Sequence, residues 1–281
     1  MQAKSLISAL IHPSRLLNHN LLGYFPPDLA KEINLLSPPV SPNFPKLLAQ
    51  NEWIESMHFS WFYLPLKSLK PEIQKLFLSL LPEKKAVELS KMLSLPLEKL
   101  SYSSFMIPFL MNIFKKKILG EIDIISEDCL PASDLNPLLK LTRLELLNLI
   151  DLLGIHDLSI DLRQIVDREI LKNIYSALFS EQIHFLHYCT KQPIKWIPPT
   201  LGLLRWNRSK EKLQHLLHER GLIRLGGALF DQNESLKWYL IHRLDTGRAE
   251  LIQKIFSNNQ NSLPYPYFKN QVIHILQRYK K

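Results

Sequence analysis

Two histidines and a cysteine lie close together in the stretch HFLHYC, where zinc chemistry is conceivable. His184 and His187 are three residues apart, which on a helix places both imidazoles on one face, and such a pair can hold zinc. Cys189 points away from that face on a straight helix, and no nearby cysteine or carboxylate completes a tetrahedral site by its spacing. We therefore interpret these residues as surface or core side chains and predict no metal site.

A second histidine pair, in HLLHE, invites comparison with the helix of a zinc protease. The HExxH motif needs histidines four residues apart with Glu directly after the first, whereas His215 and His218 are three apart and Glu219 follows the second. The later stretch GLIRLGG has neither the GK[ST] of a phosphate-binding loop nor a GxGxxG pattern, and we interpret it as a turn that ends a helix. No nucleophile elbow or carboxylate pair is identifiable. The sequence therefore predicts no catalytic residues, no cofactor and no enzymatic activity.

The composition predicts a helical protein. Leucine dominates, only 8 of the 281 residues are glycine, and the alternation of apolar and polar residues that is typical of strands is scarce. The chain has 19 prolines, and 13 of them lie before residue 132, where each tends to end a helix. We therefore predict an all-α fold: an irregular multi-helix globular protein with proline-rich connections in its N-terminal half.

We divide the sequence into an N-terminal proline-rich helical region, residues 1–125, and a C-terminal helical region, residues 126–281, which is basic after residue 190. The two regions can pack as one domain, and the segment 120–137 between them is expected to hold a short extended piece. The predicted helices of the first region cover 28–35, 46–57, 71–81, 83–93 and 101–117, with an exposed linker over 37–45. Those of the second region cover 138–153, 161–189, 209–220, 233–245, 248–258 and 267–280. Gly154 is interpreted as the end of a helix, and Ser159 or Asp161 as the cap of the next.

Two apolar stretches stand out in the first region. Residues 51–66 concentrate aromatic side chains, which we interpret as mostly core, with a partner contact of part of the stretch as the alternative. Residues 102–114 are the nearest approach to a membrane span, but they are short, contain Pro108 and run into three lysines. We interpret them as a buried helix and expect no membrane insertion. Two cysteines without a disulfide framework and no convincing secretory signal indicate a reducing compartment.

The positive charge is concentrated in the last third of the sequence. Residues 1–190 carry 19 Lys and Arg against 20 Asp and Glu, whereas residues 191–281 carry 16 against 6. Such a surface favours an acidic protein, a nucleic acid or an anionic membrane, although a solvated helical surface without a charged partner has the same composition. Arg205, Trp206 and Arg208 could stack on a base and neutralise phosphate. Because the cations are spread over the whole third without a known nucleic-acid motif, we prefer a protein partner and keep nucleic-acid binding as the alternative.

The stretch LIHPSRLL near the start of the chain predicts a rigid bend. Pro13 fixes its own φ and moves His12 out of the α region, and Ser14 can cap a helix that begins at Arg15. The apolar neighbours, including Leu16, would anchor both sides of the bend. Two interpretations stay open: the bend packs the N-terminus onto the core, or it presents Arg15 to a partner.

The same stretch resembles the N-terminal signature of the SctK/YscK family, the K component of bacterial type III secretion systems. Members open with an apolar residue, a His-Pro-Ser-like turn and a leucine, here Ile11, His12–Ser14 and Leu16. Residues 138–179 resemble the family's central region, a Leu-rich helix followed by a helix with an early basic residue, and residues 220–245 are similar to its glycine-bearing helix and final amphipathic helix.

The resemblance implies a helical, non-enzymatic adaptor in the bacterial cytoplasm, peripheral at the cytoplasmic face of the inner membrane. Its implied partners are the cytoplasmic domain of the inner-membrane ring protein, the D component, and the Q component of the sorting platform, with the L stator and the ATPase reached indirectly. It implies no small-molecule substrate. An adaptor needs two separate contact surfaces, each burying about 800 Å² per partner. We expect one at His12, Pro13, Ser14, Arg15 and Leu16, and one at Arg205, Trp206 and Arg208.

Overall fold

A computed structural model describes residues 25–35, 52–98, 106–119, 124–203, 206–257 and 264–279. Within these ranges every regular element is a helix, which confirms the predicted all-α fold. The α-helices of these described ranges number thirteen: α1 (Pro27–Leu35), α2 (Glu52–Ser56), α3 (Ser60–Lys67), α4 (Pro71–Leu80), α5 (Glu83–Leu93), α6 (Met106–Leu119), α7 (Arg143–Asp161), α8 (Arg168–Ala177), α9 (Ser180–Thr190), α10 (Lys210–Leu229), α11 (Glu234–Arg243), α12 (Thr246–Ser257) and α13 (Tyr265–Tyr279). No described helix is long and apolar enough to cross a bilayer.

The chain forms two units. Unit 1 comprises residues 1–136 and 233–246, and unit 2 comprises residues 137–232 and 247–281. The division at 125 and 126 that the sequence suggests stays a prediction, since dense internal packing alone does not define domains that fold independently. The two units differ from that predicted division in the segment 233–246, which lies late in the sequence but belongs to unit 1.

Four aromatic rings form the centre of unit 1. Phe114 of α6 stacks on Phe77 of α4 at 4.5 Å between ring centroids and on Phe62 of α3 at 5.7 Å, and Trp53 of α2 packs at 6.3 Å from both Phe62 and Phe114. All four are buried, and aromatic pairs at these separations add to the free energy of area burial. The prediction that residues 51–66 are mostly core is therefore confirmed at Trp53 and Phe62.

Residues 233–246 are bound into unit 1 by hydrogen bonds to residues far away in sequence. The Trp61 indole N–H donates to the Leu244 carbonyl at 2.9 Å, and the Tyr239 hydroxyl donates to the Ile125 carbonyl at 3.1 Å. The backbone N–H of Ile125 donates in turn to the Ser235 hydroxyl at 3.3 Å. Segment 124–126 is thus held by α11. Where it is described, the segment 120–137 contains a 3₁₀ turn at Glu127–Cys129, extended backbone at Leu130 and the start of a second 3₁₀ turn, Asn136–Lys140.

Unit 2 is organised around an antiparallel crossing of α7 and α10 at two glycines. Gly154 of α7 faces the backbone of Leu217, and Gly221 of α10 faces the backbone of Ile150; a Cβ on either glycine would overlap the opposing carbonyl oxygen. Only glycine permits this approach. The prediction that Gly154 ends a helix is therefore wrong, and so is the prediction that GLIRLGG is a helix-ending turn: α7 and α10 continue through both glycine positions because close packing requires them.

The predicted helix over 161–189 is also wrong as a single element. α7 continues to Asp161, a 3₁₀ turn follows at Leu162–Gln164, and Asp167 starts α8 by accepting the Glu169 backbone N–H at 2.8 Å. Helix α9 then begins at Ser180. Ser159 and Asp161 lie inside α7, so neither is the predicted cap; the Asp161 carboxylate instead accepts the Leu201 N–H at 2.6 Å. Elsewhere the predicted ends agree within two residues for α1, α4, α5, α11, α12 and α13, whereas the helix predicted to begin at 138 begins at Arg143.

Candidate partner-binding surface

The residues that the sequence singled out for partner binding are only partly described. His12, Pro13, Ser14, Arg15, Leu16 and Arg205 lie outside the described residues. Trp206 and Arg208 are described and lie in unit 2, in the four residues that lead into α10. The second predicted surface can therefore be built from the structure, and the first remains a prediction from sequence.

The turn before α10 is shaped by its own side chains. Ser209 caps the helix by accepting the Lys212 backbone N–H at 3.2 Å, and the Trp206 indole N–H donates to the Ser209 carbonyl at 3.0 Å. Arg208 has a φ of +64°, a left-handed conformation that non-glycine residues seldom adopt. This backbone directs its side chain to solvent, where its guanidinium pairs with the Glu169 carboxylate of α8 at 2.8 Å.

An aromatic ring adjoins the same helix end. The Lys210 ammonium lies 4.5 Å from the centroid of the Phe179 ring, and the ring remains 54% exposed. Below it, Gln214 of α10 exchanges hydrogen bonds of 2.8 Å with Gln182 of α9 and donates to the Ala177 carbonyl of α8 at 2.9 Å. These bonds join the three helices, so the exposed groups above them have a rigid base. We call Trp206, Arg208, Lys210 and Phe179 the α10 edge.

The positive charge of the chain belongs to unit 2. This unit carries 19 Lys and Arg against 11 Asp and Glu, a net of +8 out of the total of +9. Some of these basic residues have partners within the protein. Arg208 pairs with Glu169. The Arg220 guanidinium donates to the Thr200 carbonyl at 3.1 Å and lies 3.9 Å from the Asp157 carboxylate. Asp157 and Glu169 thus each lie near a basic residue of the last third.

Sequence reasoning missed a buried ionic group in unit 2. Arg224 of α10 is 1% exposed and donates through Nε and Nη2 to the same Asp157 oxygen of α7, the Nε bond measuring 2.9 Å. Its Nη1 donates to Oε1 of Gln271 of α13 at 2.5 Å, and its Cζ atom lies 5.3 Å from the Trp196 ring centroid. Burial raises the pKa of Asp157, and the adjacent arginine opposes that rise. The group ties three helices together, and the sequence signal for it is a lone Arg and a lone Asp inside apolar runs.

The histidines considered for zinc have other contacts. The His184 ring contacts the Ser180 carbonyl through Nδ1 at 2.8 Å, and His187 stacks near Tyr175 at 6.0 Å. Cys189 is buried, with its sulfur 3.5 Å from Nδ1 of His156, and burial raises its pKa to about 12. A thiol with that pKa is neither a nucleophile nor a ready metal ligand at neutral pH. Among the described residues no group of three potential ligands is close enough to hold a metal.

One histidine of the HLLHE stretch is hydrogen-bonded to side chains of two other helices. His218 of α10 donates from Nδ1 to Asp151 of α7 at 2.5 Å and accepts at Nε2 from Arg248 of α12 at 2.6 Å. Both ring nitrogens therefore have partners on neighbouring helices. His215 projects to solvent 3.3 Å from Glu219.

Comparisons of the chain with protein-family models, with curated proteins and with solved structures find no match in any of the three.

Proposed function

We propose that the protein is a non-enzymatic adaptor of a type III secretion sorting platform, linking the cytoplasmic domain of the inner-membrane ring protein to the Q component. The observation that carries the proposal is the order of three similarities to the SctK/YscK family along one helical chain. The opening motif comes first, the Leu-rich central region second and the glycine-bearing helix third. The second region forms α7 and α8, and the third forms the end of α10 and all of α11.

The α10 edge supports the proposal as a contact surface for an acidic protein. It combines an exposed aromatic ring at Phe179 with the cationic groups of Arg208 and Lys210 on a base of three joined helices. Aromatic residues and arginine are enriched in the contacts that dominate binding energy, while lysine contributes through charge. An acidic partner would replace the Arg208–Glu169 pair, which is a solvent-exposed ion pair of little intrinsic strength.

The adaptor proposal predicts two specific contacts. The protein should co-purify with the Q component and with the cytoplasmic domain of the ring protein from cells of its own host, and cross-linking in intact cells should capture both. Genes beside its own that encode an inner-ring lipoprotein and an L-type stator would add independent support. Absence of both contacts in intact cells would refute the assignment.

A double variant tests the α10 edge within that proposal. Arg208→Gly with Lys210→Gln removes two charges, and glycine favours the positive φ at 208, so stability should change little. Affinity for the Q component should fall about tenfold or more, as expected when central cationic contacts are removed. The matched control is Lys191→Gln with Lys254→Gln, two exposed lysines elsewhere in unit 2. An equal loss in both pairs would assign the effect to net charge and not to the edge.

The alternative function, nucleic-acid binding, is tested by salt. Binding to duplex DNA or RNA would weaken steeply with ionic strength because counterions are released from the phosphates. The structure leaves fewer cations for phosphate than the composition indicates, since Arg220 and Arg224 have protein partners. Micromolar binding at physiological salt with a steep salt slope would favour the alternative over the adaptor.

A further inference from the structure

Helix α6 of unit 1 carries an exposed apolar stripe. Met106, Phe109 and Ile113 are 46%, 65% and 43% exposed, and their spacing of three and four residues places them along one side of the helix. Leu110, half-buried, adjoins them. The interpretation of residues 102–114 as a buried helix is therefore wrong for this side of α6, where large apolar side chains face water.

The stripe is distinct from the side by which α6 is anchored. Met111 and Phe114 are buried, and Phe114 occupies the centre of the aromatic cluster with Phe62 and Phe77. At 100° per residue the buried pair lies roughly a third of a turn from the line through Met106, Phe109 and Ile113. The fold thus holds α6 by one apolar side and presents a second one, which packing among the described residues of unit 1 does not explain.

The charges at the end of the helix indicate what the stripe meets. Lys115, Lys116 and Lys117 are exposed, and the sequence of α6, MIPFLMNIFKKKIL, contains no Asp or Glu. Lys116 and Lys117 come three and four residues after Ile113, so they flank the stripe on its two sides. An anionic surface that contacts the stripe would meet a lysine on each side.

We propose that α6 docks unit 1 onto an anionic lipid bilayer surface, with the apolar stripe in the boundary between headgroups and acyl chains and the flanking lysines on lipid phosphates. A planar layer of headgroups extends to both sides of the inserted stripe, so Lys116 and Lys117 can contact lipid phosphates at the same time. Their aliphatic stems then lie along the apolar layer. Fourteen residues span about 21 Å at 1.5 Å each, which is too short to cross a bilayer. The helix lies in the interface, and this docking does not depend on the adaptor function.

Vesicle sedimentation of the purified full chain tests the proposal. Vesicles of equal parts phosphatidylcholine and phosphatidylglycerol should bind the protein at least about tenfold more tightly than vesicles of phosphatidylcholine alone, since each lysine near an anionic surface strengthens binding severalfold. The preference should fall as salt is raised. Equal binding to both vesicle types, or no binding to either, overturns the proposal.

Two variants separate the apolar and the charged contributions. Phe109→Ser with Ile113→Ser should weaken binding to the anionic vesicles about tenfold or more, because two apolar side chains no longer leave water. Lys116→Gln with Lys117→Gln should weaken it about tenfold at low salt and less at high salt. All four side chains are exposed, so the thermal unfolding midpoints should be unchanged and a loss of binding cannot arise from unfolding.

The matched control is Val166→Ser with Lys254→Gln in unit 2, where Val166 is 91% exposed and Lys254 is exposed on α12. It should bind like the wild type, and a loss equal to that of the α6 variants would overturn the proposal. A photo-cross-linker at Phe109 gives an independent answer on vesicle-bound protein: it should label lipid. If wild-type protein ignores anionic vesicles while the same probe labels an acidic protein in cells, the stripe is a protein interface and the membrane proposal is wrong.

Discussion

Gly154 of α7 lies so close to the backbone of Leu217 in α10 that a Cβ on the glycine would overlap the Leu217 carbonyl oxygen. The same relationship is repeated one turn away between Gly221 of α10 and Ile150 of α7. Two helices that meet backbone to backbone at two successive turns cannot slide or separate without losing both contacts. This crossing fixes the relative position of the two longest helices of unit 2 and, through them, the base on which the α10 edge is built.

Substitution at the crossing should therefore be costly. Gly154→Ala gains about 1 kcal/mol of helix propensity but forces α10 away, and we expect a net loss of about 2–3 kcal/mol in the free energy of unfolding. Urea denaturation measures it.

Gly202→Ala is the control, because Gly202 has φ +68° and no heavy atom within 4 Å of a Cβ there. It should lose only about 1–2 kcal/mol, from the left-handed backbone. A Gly154→Ala protein as stable as the wild type would show that the helices are not held at this distance.

Removing one partner of the buried Arg224–Asp157 pair should cost more stability than replacing both partners with apolar residues. Arg224→Met leaves the Asp157 carboxylate buried beside Arg220 at 3.9 Å, and we expect a loss of about 3–5 kcal/mol of unfolding free energy. Adding Asp157→Leu should recover at least half of that loss, because no uncompensated charge then remains. A double variant less stable than Arg224→Met alone would mean that Asp157 has a stabilising role apart from Arg224.

Acid should destabilise unit 1 through His242. Its ring lies between Trp61 and Trp238, at 4.1 Å between centroids on each side, and burial lowers its pKa from 6.5 to about 4. Because the folded-state pKa lies below the unfolded one, the unfolded chain binds more protons between these values, and stability falls as the pH falls from 6.5 towards 4.

The variant His242→Phe isolates this effect. We expect the unfolding free energy of the wild type to fall by about 1.5 kcal/mol more than that of the variant between pH 6.5 and pH 5. His156, whose pKa burial also lowers, acts in the same direction in both proteins and cancels in the difference. Parallel pH profiles would contradict the assignment to His242.

The opening motif gives a prediction in the cell. Arg15→Glu with Leu16→Asp should impair type III secretion, because loss of a central contact costs about 2 kcal/mol, or about thirtyfold in affinity. Secretion of a reporter substrate by a strain carrying the variant measures it. Lys4→Glu with Ser5→Asp makes the same change in charge outside the motif and should secrete normally. Normal secretion by the first variant would remove the reason for singling out residues 12–16.

The helix class and several helix ends were predictable because local signals suffice for them. Pro71 at the start of α4 and Pro82 before α5 act within one turn. Gly154 was misinterpreted because glycine both ends helices and permits close helix contact, and only the partner helix distinguishes the two. Asp167 carried a readable capping signal that was overlooked. The pairing of Arg224 with Asp157 spans 67 residues, and no local pattern reports which distant carboxylate an arginine will meet.

The bonds from Trp61 to Leu244 and from Tyr239 to Ile125 have a consequence for biosynthesis. When the ribosome has finished the first 136 residues, unit 1 still lacks α11, which is made about a hundred codons later. These two hydrogen bonds cannot form while α7 to α10 are being synthesised. A gene truncated after the codon for residue 136 would yield a unit 1 that lacks residues 233–246. Unit 1 therefore has all of its residues only after residue 246 has been synthesised.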